Sequence, residues 1–177
     1  MKGTKVAARY AQSLLELAEE QGKTDVVVAD MDFLVSATEE NREFAVFLAS
    51  PIINAGKKIA ILEKVFEQFD VLSMAFVRLI TKNRREGFLP LIAKEYGAKV
   101  KASRGIIPVT LSSAHELDAQ VRDQILGKLE EQVEGKFEVH EKIDEALLGG
   151  FVFRMGDMQI EASVARQFKE LKKRLTK

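Results

Sequence analysis

The chain has no cysteine and no tryptophan, only two tyrosines and three prolines, and no excess charge of either sign: 27 basic residues face 27 acidic ones among 177. The missing thiols exclude disulfides and thiolate chemistry. The balanced charge provides no global field of the kind that gathers nucleic acid, so no nucleic-acid partner is expected. No apolar run approaches the roughly 18 residues of a membrane-spanning helix, so direct membrane insertion is not expected either. Arg9 and Gln12 interrupt the apolar residues near the N-terminus, which argues against a secretory signal. An Arg- and Ser-rich, acid-poor transit peptide is also missing, and the expected compartment is the bacterial cytoplasm.

What remains is an ordinary globular composition, 46% apolar and 31% charged, long enough for one large domain or two small ones. Its most informative stretch is the first helix. From Lys5 to Glu20, the residues Val6, Leu17, Tyr10, Leu14, Ala7, Ala18, Ala11, Leu15 and Ala8 follow one another around a single arc of the helical wheel. The arc spans roughly 200°, where a helix lying on one core needs little more than about 100°. Without the alanines, Val6, Tyr10, Leu14, Leu15 and Leu17 still spread over about 180°. A helix this broadly apolar can serve its own bundle and a second surface.

The pattern is helical throughout as far as Ser103-Arg104-Gly105 and changes there, so the expected division is residues 1–104 and 105–177. Gly22 closes the first helix. Thr24 or Asp25 can cap a second that turns Val28, Met31, Leu34 and Val35 inward. Asn41 starts a short third with Phe44, Phe47 and Leu48, ended by Ser50-Pro51. Asn54 caps a fourth whose buried side holds Ile59, Leu62, Val65 and Phe66. Asp70 opens a fifth, Val71 to about Arg84, and Gly87 and Pro90 mark entry to a sixth carrying Leu91, Ile92, Tyr96 and Val100. In the fifth helix as far as Lys82, only Ser73, Arg78, Thr81 and Lys82 are polar. Such a helix is either buried on most sides or contributes to an apolar groove.

Beyond Gly105, Ile106 to Ser112 reads as a strand that Pro108 places at an edge or at the strand start. An amphipathic helix from Glu116 to Val133 follows, then a strand with Phe137, Val139 and Ile143. Phe151 to Met155 and Met158 to Glu161 form a hairpin around Gly156-Asp157, and Ser163 caps a last helix with Val164, Phe168, Leu171 and Leu175 on one narrow stripe. The fold class expected is mainly α: an N-terminal six-helix bundle and a small α+β C-terminal domain.

No residue constellation points to catalysis, a metal or a cofactor. His115 and His140 stand far apart with no ligand spacing. Leu148-Gly149-Gly150-Phe151 lacks the Lys-Ser or Lys-Thr and the helix start that a phosphate cradle requires, and reads as a turn before a strand. Lys82-Asn83-Arg84-Arg85 is a basic cluster that could touch phosphate, whereas Lys172-Lys173-Arg174 reads as a solvated face. Cations at a helix C-terminus complement its dipole; the alternative is a small RNA-binding protein using Lys82, Arg84 and Arg85 with the C-terminal sheet. The broad arc on the first helix favours a third possibility, an amphipathic partner helix laid between the first and fifth helices.

Val6-Ala7-Ala8-Arg9-Tyr10-Ala11-Gln12-Ser13-Leu14-Leu15-Glu16-Leu17-Ala18 resembles the opening helix of the delta subunit of F-type ATP synthase, the family that includes the oligomycin-sensitivity-conferring protein. Further likenesses fall in the family's order. They are Ser50-Pro51 with Lys57 or Lys58 before Ile61-Leu62; Leu79 to Arg85 followed by Leu89 and Tyr96; Ile143 to Asp157; and Ile160 to Val164. Together they cover nearly the whole chain. Two departures stand out: the family usually has proline where Glu145 or Ala146 stands and aspartate where Glu161 stands.

The resemblance implies a non-catalytic stator subunit without cofactor or metal, peripheral on the cytoplasmic face of the bacterial plasma membrane. The bundle would sit on top of the catalytic head and hold the N-terminal helix of an alpha subunit. The C-terminal part would meet the b subunits of the peripheral stalk. The head is thereby kept from turning with the central shaft during proton-driven ATP synthesis. Carried over by position, the groove residues would be Val6, Tyr10, Leu14, Leu17, Phe76, Val77 and Ile80.

Overall fold

Local capping chemistry sets most of the helix boundaries in the computed structural model, which describes residues 2–115, 122, 127, 135–144, 147, 149–156 and 158–163. Helix α1 (Lys2–Glu20) ends where Gly22 takes a left-handed φ of 64°. The Gly22 amide donates to the Glu19 carbonyl (3.1 Å) and the Lys23 amide to that of Ala18 (2.8 Å), a closure that favours a residue without Cβ. Helix α2 (Thr24–Glu40) begins at once. Its N-cap is Lys23, whose side chain makes no capping bond. This corrects the expected cap: Thr24 and Asp25 both lie within the first turn, where Asp25 acts on the positive helix end instead.

Three caps stand where expected. Asn41 accepts from the Phe44 amide (3.1 Å) at α3 (Arg42–Ala49), Asn54 from Gly56 (2.8 Å) at α4 (Ala55–Val65), and Asp70 from Leu72 (2.8 Å) at α5 (Val71–Lys82). A single 3-10 turn, Glu86–Phe88, leads into α6 (Leu89–Ser103). Helix α5 is two residues shorter than expected, because Arg84 leaves helical space at φ 54°.

The chain divides into two units, Met1–Ser103 and Arg104–Lys177. In the first, α6 packs along both α1 and α2, and α5 packs on α4. Ala7, Ala11 and Ala18 are fully buried with Leu14 and Leu15 close behind, so the alanines of the broad arc belong to the bundle interior. Tyr96, Ile92, Leu34 and Phe66 complete the centre. Three details depart from the sequence expectation. Ser73 and Thr81 are buried while Val71 and Leu79 are 79% and 51% exposed. Thr81 can enter the core because its hydroxyl donates to the Val77 carbonyl at 2.8 Å, satisfying itself on its own helix. Val65 is 43% exposed, and Lys58 occupies the interior instead.

Asp70 joins three elements. Its carboxylate caps α5, pairs with the Lys23 ammonium at 2.9 Å, and its own amide donates to the buried Asp30 of α2 at 3.0 Å. The Leu72 amide first, and the Lys23 ammonium second, hold the Asp70 carboxyl below the usual carboxylate range, against an opposing effect of burial. A folded-state pKa below the unfolded one contributes stability above the unfolded value, and that contribution is lost as pH falls through the folded value. The urea midpoint should therefore fall as pH drops below about 4, and Asp70→Asn should flatten this part of the profile. An unchanged acid limb in the variant would contradict the assignment.

In the second unit a sheet of order β2-β1-β3-β4 is formed by β1 (Ile106–Ser113), β2 (Lys136–Ile143), β3 (Gly150–Met155) and β4 (Met158–Ser163). Strand β1 runs parallel to β2 and antiparallel to β3, so it is internal; of the two positions expected from Pro108, the edge is excluded and the strand start holds on the β3 side. The carbonyls of Gly105 and Ser113 accept bonds from Lys136 (3.2 Å) and Asp144 (2.8 Å), so odd-numbered peptides face β2. Pro108 faces the other way, and β3 pairs only from Val109 onward, so the missing N–H is not needed.

The hairpin of β3 and β4 closes with Met155 opposite Met158 and Gly156 at φ 55°. Gly150 opens β3 at φ 80°, a backbone turn into the strand. Val109, Leu111 and Phe153 form the buried face with Ile107, Phe137, Val139, Phe151 and Met155, whereas Ile143 is exposed. Of the expected helix Glu116 to Val133 only Arg122 and Gly127 are described, both helical. Ser163 is the last residue of β4, and the helix expected beyond it lies outside the described residues, as do Glu145 and Ala146.

Candidate functional site

Two contacts fix how α1 and α5 lie against each other. At one end Lys23, just past α1, meets Asp70, just before α5. At the other, Arg85, just past α5, places its guanidinium carbon 5.6 Å over the Tyr10 ring and donates to the Tyr10 hydroxyl at 3.4 Å. The helices are therefore antiparallel. Between these ends Tyr10 meets Phe76 edge-on, ring centres 6.4 Å apart at 75°. Leu72, Phe76, Leu79 and Asn83 share one face of α5 at i, i+4, i+7 and i+11. Phe76 touches Tyr10, so this face turns toward α1.

The seven residues expected at the groove divide by burial. Leu14, Val77 and Ile80 are at most 1% exposed and belong to the core. Phe76 is nearly buried beneath Tyr10, Val6 and Tyr10 are half-buried, and Leu17 is 40% exposed. Val6, Tyr10 and Leu17 lie within about 40° on the wheel of α1, so they form one surface stripe. Facing it, Leu79 offers half-exposed apolar area that the sequence reading passed over; its spacing of three from Phe76 was the available signal. The arrangement is a shallow channel with an apolar floor, suited to the apolar face of a helix.

The basic turn after α5 has an uncommon backbone. Arg84 donates its amide to Thr81 (3.0 Å) and Arg85 to Ile80 (3.0 Å), the same closure that Gly22 makes after α1. Here an arginine takes the left-handed position, the only non-glycine with positive φ among the described residues, at a cost of roughly 1 kcal/mol. Below it a cleft of about 330 Å³ is lined by Leu48, Pro51, Glu86 and Phe88. Glu86 Oε1 is committed to Lys58 and Oε2 has no partner among the described residues.

His115 and His140 are exposed, and no group of His, Asp and Glu side chains suited to a metal occurs among the described residues. No described helix is long and apolar enough to cross a membrane.

Comparison with known proteins gives one consistent result. The family model of the ATP synthase delta (OSCP) subunit matches residues 6–175. A protein of Cytophaga hutchinsonii called ATP synthase subunit delta is 36% identical over 177 residues, covering 99% of this chain and 97% of its own. One of the same name from Carboxydothermus hydrogenoformans is 33% identical over 173 residues, covering 98% of both. In fold, the chain is similar to one in the cryo-EM structure of the Toxoplasma gondii mitochondrial ATP synthase hexamer, with TM-score 0.72 over 97% of each chain at 21% identity.

Proposed function

The chain belongs to the ATP synthase delta (OSCP) subunit family, and from this premise we propose that it is a non-catalytic stator subunit that fastens the catalytic head to the peripheral stalk. The channel between α1 and α5 takes the N-terminal helix of an alpha subunit, and the C-terminal unit meets the b subunits. The protein works at the cytoplasmic face of the bacterial plasma membrane as a peripheral member of the complex. The observation that carries the docking part is the stripe of Val6, Tyr10 and Leu17 facing Phe76 and Leu79: apolar side chains held at a surface by a well-packed bundle.

Torque from the rotating shaft acts on the head, so the link must dissociate slowly. Slow dissociation follows from apolar burial around an aromatic anchor more than from charges at the rim. The floor is preorganised, since Tyr10 is braced by Phe76 and Arg85 and little side-chain entropy is left to lose on docking. Titration of the full chain with a synthetic peptide of the alpha subunit's N-terminal segment from the same organism should show saturable one-to-one binding by calorimetry, with the negative heat-capacity change of apolar burial. Absence of binding would contradict the docking assignment.

A further inference from the structure

The channel carries a charge axis that its apolar floor does not require. On α1, Lys5, Arg9, Glu16 and Glu20 lie within about 60° of one another on the wheel, beside the Val6–Tyr10–Leu17 stripe. All four are exposed. The bank therefore changes from basic near Tyr10 to acidic near Leu17. On the opposite bank, Lys82, Arg84 and Arg85 are exposed at the Tyr10 end, and Lys82 and Arg84 form no ion pair among the described residues. At the Leu17 end the Lys23–Asp70 pair, 2.9 Å apart, cancels itself and leaves Glu16 and Glu20 to set the sign.

One end of the channel thus gathers Lys5, Arg9, Lys82, Arg84 and Arg85, while the other presents glutamates. Arg84 holds its place there despite a left-handed backbone that glycine would adopt without strain.

We infer that the channel dictates the direction of its occupant: the docked helix lays its acidic side chains over Tyr10, Arg84 and Arg85 and its basic side chains over Glu16 and Glu20. The inference rests on the docking reading above and adds the polarity of the partner. Exposed rim charges add little affinity, but like charges brought together disfavour the reversed orientation. Orientation matters mechanically, because it decides on which side of the bundle the rest of the partner chain emerges.

The test uses two synthetic amphipathic helices of about 20 residues with identical apolar faces. One has glutamates in its first half and lysines in its second; the other has the reverse. The pair separates charge from the helix dipole, which has the same sense in both. Each carries a nitroxide at its glutamate end and is added to the isotope-labelled full chain.

In both complexes the amides of Tyr10, Arg84 and Arg85 should be broadened and those of Leu17 and Glu20 spared. The double variant Arg84→Glu/Arg85→Glu should weaken binding by roughly three- to tenfold, the scale of two exposed charges, and abolish the preference. Broadening at Leu17 and Glu20, or equal broadening at both ends, overturns the inference alone. Failure of both synthetic helices while the alpha peptide binds also overturns it alone; failure of the alpha peptide as well removes the docking reading with it. Self-association of the chain through the same residues would assign the channel to a second copy and likewise overturn it.

Discussion

Lys58→Met is expected to remove about 3–5 kcal/mol from the stability of the helical bundle, measured by urea denaturation followed by circular dichroism. Lys58 is fully buried, and its ammonium donates to the carbonyls of Leu48 (2.8 Å) and Ser50 (2.6 Å) and to Glu86 Oε1 (2.5 Å). The carbonyls belong to the end of α3, the carboxylate to the turn before α6. One side chain therefore closes a helix terminus and ties three segments distant in sequence.

Methionine fills similar volume but leaves a buried carboxylate without a cation and two carbonyls without a donor. Because a domain has about 5–15 kcal/mol in total, such a loss leaves a marginal fold. Glu86→Gln should cost less, since an amide oxygen still accepts from the ammonium. A loss below about 1 kcal/mol for Lys58→Met would show that the ion pair is not formed in solution.

Tyr10→Asp should weaken binding of the alpha N-terminal peptide by roughly 30-fold or more, the scale of an aromatic anchor, while the bundle remains folded. Tyr10 is half-buried, so the core does not depend on it as it does on Leu14. An aspartate there puts a charge on the apolar floor and removes the ring that Phe76 and Arg85 brace. Tyr10→Phe keeps the ring and loses only a long hydroxyl contact of 3.4 Å, so its affinity should stay within about threefold of the parent. Equal affinity for parent and Tyr10→Asp would remove Tyr10 from the interface.

Helix starts were legible where the signal is local. Asn41, Asn54 and Asp70 each bond an amide two or three residues ahead, so nothing distant enters the decision. Lys58 was illegible for the opposite reason. Lys57 and Lys58 are alike in sequence, and only the joint arrival of Leu48, Ser50 and Glu86 selects the second for the interior. Counting polar residues misread α5, since Thr81 carries its own acceptor into the core on Val77. Pro108 left edge and strand start open, because the rule about proline in sheets concerns one side of the strand; pairing on that side starts one residue later, which selects the start.

The candidate channel was legible as a surplus of apolar surface on α1. Its division into core and surface was not, because Leu14 and Tyr10 differ by only about 40° on the wheel and packing alone places one inside and the other at the rim. Arg85 could be read as complementing a helix dipole; its position over Tyr10 required the antiparallel approach of α1 and α5.

A clamp and a catalyst make different demands on a complex. In the proposed role the subunit contributes nothing to hydrolysis by the detached head, yet rotation performs no work without it. The most direct measurement is therefore proton-driven ATP synthesis by membrane vesicles stripped of this subunit and then resupplied with it. Synthesis should be lost on stripping and restored by the parent chain but not by Tyr10→Asp, with hydrolysis by the soluble head unchanged throughout. Full synthesis in stripped vesicles, or restoration by a chain that no longer binds the alpha peptide, would contradict the account.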